Sequence, residues 1–94
     1  MTRLSLGADL GGTWLRLCLA DKTGRLLRRA RAPGGPWPGA PARLRAALKR
    51  WGSPSLARLT LGGKGLWRAA DQQRLARRLR RLAARVVVMS DMEL

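Results

Sequence analysis

Apolar and polar positions alternate along the start of the chain. Leu4 to Ala8 reads Leu, Ser, Leu, Gly, Ala, and Trp14 to Ala20 places Leu15, Leu17 and Leu19 on one side of a second period-two segment. These patterns predict two strands joined by Asp9-Leu10-Gly11-Gly12-Thr13. Asp21-Lys22-Thr23-Gly24 has the composition of a turn, and Arg25 to Ala32 reads as a third strand with basic residues at its solvent-facing positions. Pro33-Gly34-Gly35-Pro36-Trp37-Pro38-Gly39 then bars regular structure, because the prolines lack amide donors and the glycines resist ordering.

Beyond this loop the period changes. Pro41 suits a first helical turn, and Leu44, Ala47, Leu48 and Trp51 recur at helical spacing until Gly52 and Pro54 stop the run. Leu56 to Leu61 is a short apolar strand ended by Gly62-Gly63-Lys64-Gly65. A second helix is expected from Ala69 to Ala83, with Leu75, Leu79 and Leu82 on one stripe and arginines covering the rest. Val86-Val87-Val88-Met89 is the uninterrupted run of a strand buried on both sides, and it delivers Ser90 and Asp91 to that strand's end.

The order β-β-β-α-β-α-β implies an α/β fold with a mixed five-stranded sheet, and right-handed crossovers put both helices on one face. The other face lacks a cover. If a helix normally follows Leu94 and packs there, the chain as it stands exposes apolar sheet, and marginal stability or a homo-oligomer through that uncovered sheet face follows.

Composition narrows the class. The 94 residues suffice for a single domain, 1–94, and 46% of them are hydrophobic, too many for a disordered tail. The net charge of +15, from 20 basic and 5 acidic residues, raises nucleic acid as a partner, although the arginines are spread along the whole chain. A lone cysteine, Cys18, excludes an internal disulfide and reads as a small buried hydrophobe within its strand. Trp51 and Trp67 read as core residues. No run approaches a membrane span or a secretion signal, so a soluble, cytoplasmic protein is expected.

Asp9-Leu10-Gly11-Gly12-Thr13 carries the sharpest chemical signal. A carboxylate at the end of an apolar strand, then two glycines and a hydroxyl, suits a phosphate with its magnesium ion: glycines let backbone N–H groups approach the phosphate oxygens, and Asp9 holds the metal directly or through water. A plain hairpin turn accounts for the same residues equally well. Gly62-Gly63-Lys64-Gly65 is a strand-end turn and not a Walker loop, since glycine follows the lysine.

The stretch Leu6 to Arg16 resembles the first phosphate motif, D-x-G-G-T-x-x-R, of the actin-like ATPase and sugar-kinase superfamily. Leu59 to Lys64 is similar to its glycine-ended fourth strand, and Val86 to Asp91 to its fifth strand with a terminal aspartate. The combination most resembles the N-acetylglucosamine kinase and BadF/BcrA-type ATPase branch. The resemblance implies a ribonuclease-H-like half-domain, the amino-terminal lobe of a two-lobed enzyme using ATP and Mg2+ on a small sugar. It implies that Asp9 helps place magnesium, that Gly11, Gly12 and Thr13 meet the nucleotide's phosphates, and that Asp91 is the general base toward the sugar hydroxyl. Gly62, Gly63 and Trp37 are candidates for the substrate loops. The proline-rich segment after the third strand departs from the hydrogen-bonding side chains usual there. With no second lobe in the chain, the resemblance implies no kinase activity from it alone.

The alternative is a non-catalytic basic module that binds nucleic acid, with Arg77, Arg80 and Arg81 on phosphates. A ribonuclease-H-type nuclease is disfavoured, because five acids, two of them in a turn and a helix start, leave too few to hold two metals.

Overall fold

The computed structural model describes residues 3–90. Strands β1 (Leu4–Leu10), β2 (Trp14–Ala20) and β3 (Leu26–Pro33) are followed by a short 3-10 turn (Trp37–Gly39), helix α1 (Ala40–Lys49), β4 (Leu56–Gly63), α2 (Ala69–Leu79) and β5 (Ala83–Ser90). One sheet results, in the order β3-β2-β1-β4-β5. Its β1–β2 and β2–β3 pairs are antiparallel, and its β1–β4 and β4–β5 pairs parallel. The expected α/β order and mixed five-stranded sheet are thus observed.

Alternation decides which way each strand faces. Leu6, Ala8 and Leu10 of β1, Leu15, Leu17 and Leu19 of β2, and Leu59 and Leu61 of β4 turn to one side. There they join Leu44 and Leu48 of α1 and Leu75 and Leu79 of α2 in a single core, so both helices cover the same face. The chain has no phenylalanine or tyrosine, and leucine fills the interior. Each fully buried leucine contributes ~1.5–3 kcal/mol of transfer free energy.

The open face differs from the apolar surface expected. Register places Arg31, Arg16, Asp9, Gly62 and Met89 in one row across it, and Arg29, Cys18, Gly7, Thr60 and Val87 in the next, with Arg58 beside Arg85 beyond. Its outward positions are mainly arginines and small residues, because the leucines take the inward ones. Cys18 is exposed there instead of buried, since its neighbours Leu17 and Leu19 claim the inner side.

Two further expectations are corrected. Helix α2 stops at Leu79, and β5 begins at Ala83, ahead of the valine run. Leu82 keeps a contact with the core without being helical: its amide reaches the Leu79 carbonyl in a tight turn, 2.9 Å away. Trp67 is 61% exposed, because Leu66 beside it takes the buried position, whereas Trp51 packs half-buried against the core. Helix α1 ends as its sequence indicates. Gly52 (φ 78°) and Ser53 (φ 50°) both enter the left-handed region, and the Ser53 amide donates to the Leu48 carbonyl at 2.9 Å.

The proline- and glycine-rich loop is less irregular than its composition suggests. Gly34 N–H donates to the Thr13 carbonyl (2.9 Å) and Gly35 N–H to the Gly11 carbonyl (3.0 Å). Farther along, the Arg78 guanidinium donates to the Pro38 carbonyl (2.9 Å), tying the loop to α2. A Cβ on Gly34 would run into the Gly11 carbonyl oxygen and lie 2.7 Å from the Trp14 amide nitrogen, both backbone atoms that no rotamer change can move. At the other end of β2, Asp21 closes the hairpin by accepting from Thr23 N–H (2.9 Å), Thr23 Oγ1 (2.6 Å) and Arg25 N–H (3.1 Å).

Two measurements check these constraints. Gly34→Ala should cost about 1–3 kcal/mol in urea unfolding, whereas Gly12→Ala, whose Cβ would meet nothing within 4 Å, should change stability by less than about 0.5 kcal/mol. The hydrogen bonds from Thr23, foremost its hydroxyl, hold the Asp21 carboxyl below its ordinary value of 3.8. A lowered folded value means that its stabilisation is fully present above 3.8 and is lost as pH falls through the folded value. In urea titrations across the acid range, Asp21→Asn should therefore lack that part of the acid destabilisation, a small effect at so exposed a site.

Candidate functional site

The carboxyl ends of β1, β4 and β5 lie side by side. Asp9 pairs in register with Gly62, and Gly62 with Met89; one residue on, Leu10 pairs with Gly63, and Gly63 with Ser90. Strand spacing puts β1 and β5 roughly 10 Å apart with β4 between them. Asp91, the expected base, lies outside the described residues; Ser90, which precedes it, is buried beside Gly63.

Asp9 sits on the open face, opposite Arg16 of β2. The turn beyond it is braced from three directions. Gly11 N–H donates to the Trp14 carbonyl at 2.8 Å, closing the hairpin. Gly34 and Gly35 hold the Thr13 and Gly11 carbonyls, and Lys64 N–H donates to the Leu10 carbonyl at 3.1 Å. These bonds use carbonyl oxygens and leave the turn's remaining donors alone. Among the described residues the amides of Gly12 and Thr13 have no partner, both residues are exposed, and Gly12 faces open space. A braced bend with two unpartnered N–H groups and a hydroxyl on exposed residues, beside one carboxylate, can hold an anion and a hard cation together.

Gly62 and Gly63 are both buried at the end of β4. At Gly63 a Cβ would come 2.7 Å from Leu66 Cδ1, so glycine here lets the following turn fold back onto the sheet. Trp37 is half-buried, opens the 3-10 turn before α1, and packs against the core. Its ring is therefore partly committed to structure.

Sequence reasoning missed three contributors. Lys64 reads in the sequence as part of a plain strand-end turn, yet its backbone clasps β1 at the site and the residue itself is exposed. Gly34 and Gly35 were read only as breakers, and no local signal tells a breaker from a brace. The Arg31 guanidinium also stacks over the Trp14 ring, 4.6 Å from its centroid, fixing the residue that leaves the turn.

Among the described residues no cluster of three or more metal-ligating side chains occurs, and no helix is long and apolar enough to cross a membrane. A cation at Asp9 would need oxygen atoms from a ligand or from water to complete its shell.

No protein-family model matches the sequence, and no curated protein does either. Solved structures do. A ROK-family transcriptional regulator, described as a homologue of the Escherichia coli MLC protein, superposes with a TM-score of 0.73 at 12% identity, over 97% of this chain and 28% of its own. A Bacteroides thetaiotaomicron protein described as having an actin-like ATPase fold and unknown function gives 0.66 at 14%, over 97% and 34%. A putative N-acetylglucosamine kinase from Chromobacterium violaceum gives 0.62 at 23%, over 96% and 35%. The chain spans about a third of the length of these structures. At such identities the likeness concerns the fold, and on the strand order, register and superposition together this chain has the fold of the actin-like ATPases.

Proposed function

We infer that the chain is the phosphate-gripping lobe of an ATP-dependent sugar-kinase-like protein of the N-acetylglucosamine kinase and BadF/BcrA-type branch. The observation that carries this reading is the braced turn at Gly11–Gly12–Thr13 with Asp9 beside it, at the end of the sheet where β1, β4 and β5 finish. The superposition on a putative N-acetylglucosamine kinase supports it, and so does the motif Asp9 to Arg16.

In this reading the amides of Gly12 and Thr13 and the Thr13 hydroxyl bind the β- and γ-phosphates of ATP, and Lys64 adds positive charge nearby. The donor set fits magnesium: one hard carboxylate oxygen from Asp9, with nucleotide and water supplying the rest. When bound, the ion offsets charge on the transferring phosphoryl group. Asp91 accepts the proton of the hydroxyl of N-acetylglucosamine, glucosamine or a similar sugar. Gly62, Gly63 and Trp37 shape the substrate side. A second lobe closes over the site and excludes water, so this chain alone performs no turnover. The setting is the cytoplasm.

The decisive test is binding of magnesium and AMPPNP, followed by the amide resonances of the isotope-labelled chain. Gly12 and Thr13 should move most. Gly12→Ala, which keeps the fold, should weaken binding about tenfold, and Asp9→Asn should weaken it only when magnesium is present. Unmoved Gly12 and Thr13 resonances, or equal binding by both variants, refute the reading. Incubation with MgATP and N-acetylglucosamine should yield no sugar phosphate; its formation would refute the dependence on a second lobe.

A further inference from the structure

The two edges of the sheet are finished differently. Strand β3 carries Arg28, Arg29 and Arg31, and a row of guanidinium groups keeps another strand from adding to it. Strand β5 carries Val86, Val87, Val88 and Met89, with Arg85 as its one charge. It pairs only with β4, so its outer edge from Ala84 to Met89 offers backbone donors and acceptors that nothing among the described residues takes up. Half-buried β-branched residues on an unpaired edge are the template for strand addition.

Alongside that edge an open cavity of about 630 Å3 lies between β5 and the outer side of α2. Its floor includes Ala76 and Val86, and its charged walls are Arg77, Arg80 and Arg85. No carboxylate lines it, and none of these arginines forms an ion pair among the described residues. A strand laid along β5 would send alternate side chains into this cavity, toward Arg77 and Arg80, and the others to the open face near Arg85.

We propose that the β5 edge is a docking site for a short extended peptide segment with carboxylates at alternate positions, which adds to the sheet as a sixth strand. Backbone hydrogen bonds supply the sequence-independent part of the affinity, and Arg77 and Arg80 on the cavity side select the acidic side chains. About six residues, roughly 20 Å, match the free edge. Charge disfavours a second copy of the chain as occupant: each carries +15, and pairing β5 with itself would bring two arginine-lined cavities together. It also separates peptide from nucleic acid, since a strand edge presents carbonyl oxygens alternating with its N–H groups and no aromatic ring lines the cavity for base stacking.

The test uses the whole chain and a fluorescein-labelled six-residue peptide of alternating aspartate and valine, with binding read by anisotropy. Saturable binding is expected, weakened about tenfold or more by Arg77→Glu with Arg80→Glu, two exposed positions. Arg45→Glu with Lys49→Glu on α1 should leave it within about twofold, which controls for net charge. Two further peptides carry N-methyl groups at every second amide, in opposite phases. One phase should abolish binding and the other spare it, because a strand docks through one edge only. Equal behaviour of the two phases, absence of saturable binding, displacement of the peptide by an oligonucleotide of equal charge, or a β5-mediated dimer in sedimentation would each overturn the proposal. Nucleotide binding at Gly12 and Thr13 is read separately, so the two results are independent.

Discussion

The period-two burial of β1 governs the rest of the molecule. Leu6, Ala8 and Leu10 must face the helices, and this leaves Asp9 only the opposite side of the sheet. Because β1 is the strand at which antiparallel pairing gives way to parallel pairing, the same constraint sets Asp9 next to the ends of β4 and β5. Slipping β1 by one residue would bury a carboxylate among leucines and expose the leucines to water. Either change costs several kcal/mol, so the position of the acid is as firmly held as the core itself.

A second layer of order comes from the backbone. The turn after β1 uses one donor, Gly11 N–H, on the Trp14 carbonyl; it is otherwise held through carbonyl oxygens, by Gly34, Gly35 and Lys64, while the N–H groups of Gly12 and Thr13 have no partner among the described residues. This polarity matters chemically. A turn that used all of its donors on internal bonds would be a hairpin and nothing more; one stabilised mainly through its acceptors keeps two donors available for an anion without reorganising.

The elements were legible wherever alternation or helical spacing was long and clean, as in β2 and α1. Legibility failed where one residue served two patterns. Leu82 continues the helical stripe of Leu75 and Leu79, yet it reaches the core from a turn. Cys18 follows the parity of its strand and not its chemistry: Leu17 and Leu19 claim the inner side, so the thiol faces out. Topology with a missing covering helix implies an apolar open face, but the residues between the leucines of β1, β2 and β4 include Ser5, Gly7, Asp9, Arg16, Cys18, Thr60 and Gly62. At the site, Asp9 and the glycine turn were visible in sequence. The bracing by Gly34 and Gly35 was not, since contacts between segments some twenty residues apart leave no periodic trace.

The tryptophans close the picture from another direction. Trp67 is largely exposed, Trp14 is 41% exposed beneath a guanidinium, and Trp37 and Trp51 are only half-buried, while aliphatic side chains fill the interior. Two of the four indoles, Trp14 and Trp67, therefore stand on the perimeter, while Trp37 and Trp51 rest against the core. Ultraviolet emission from the chain is in consequence a blend, part of it reporting events at the surface beside the turn and part the integrity of the leucine interior.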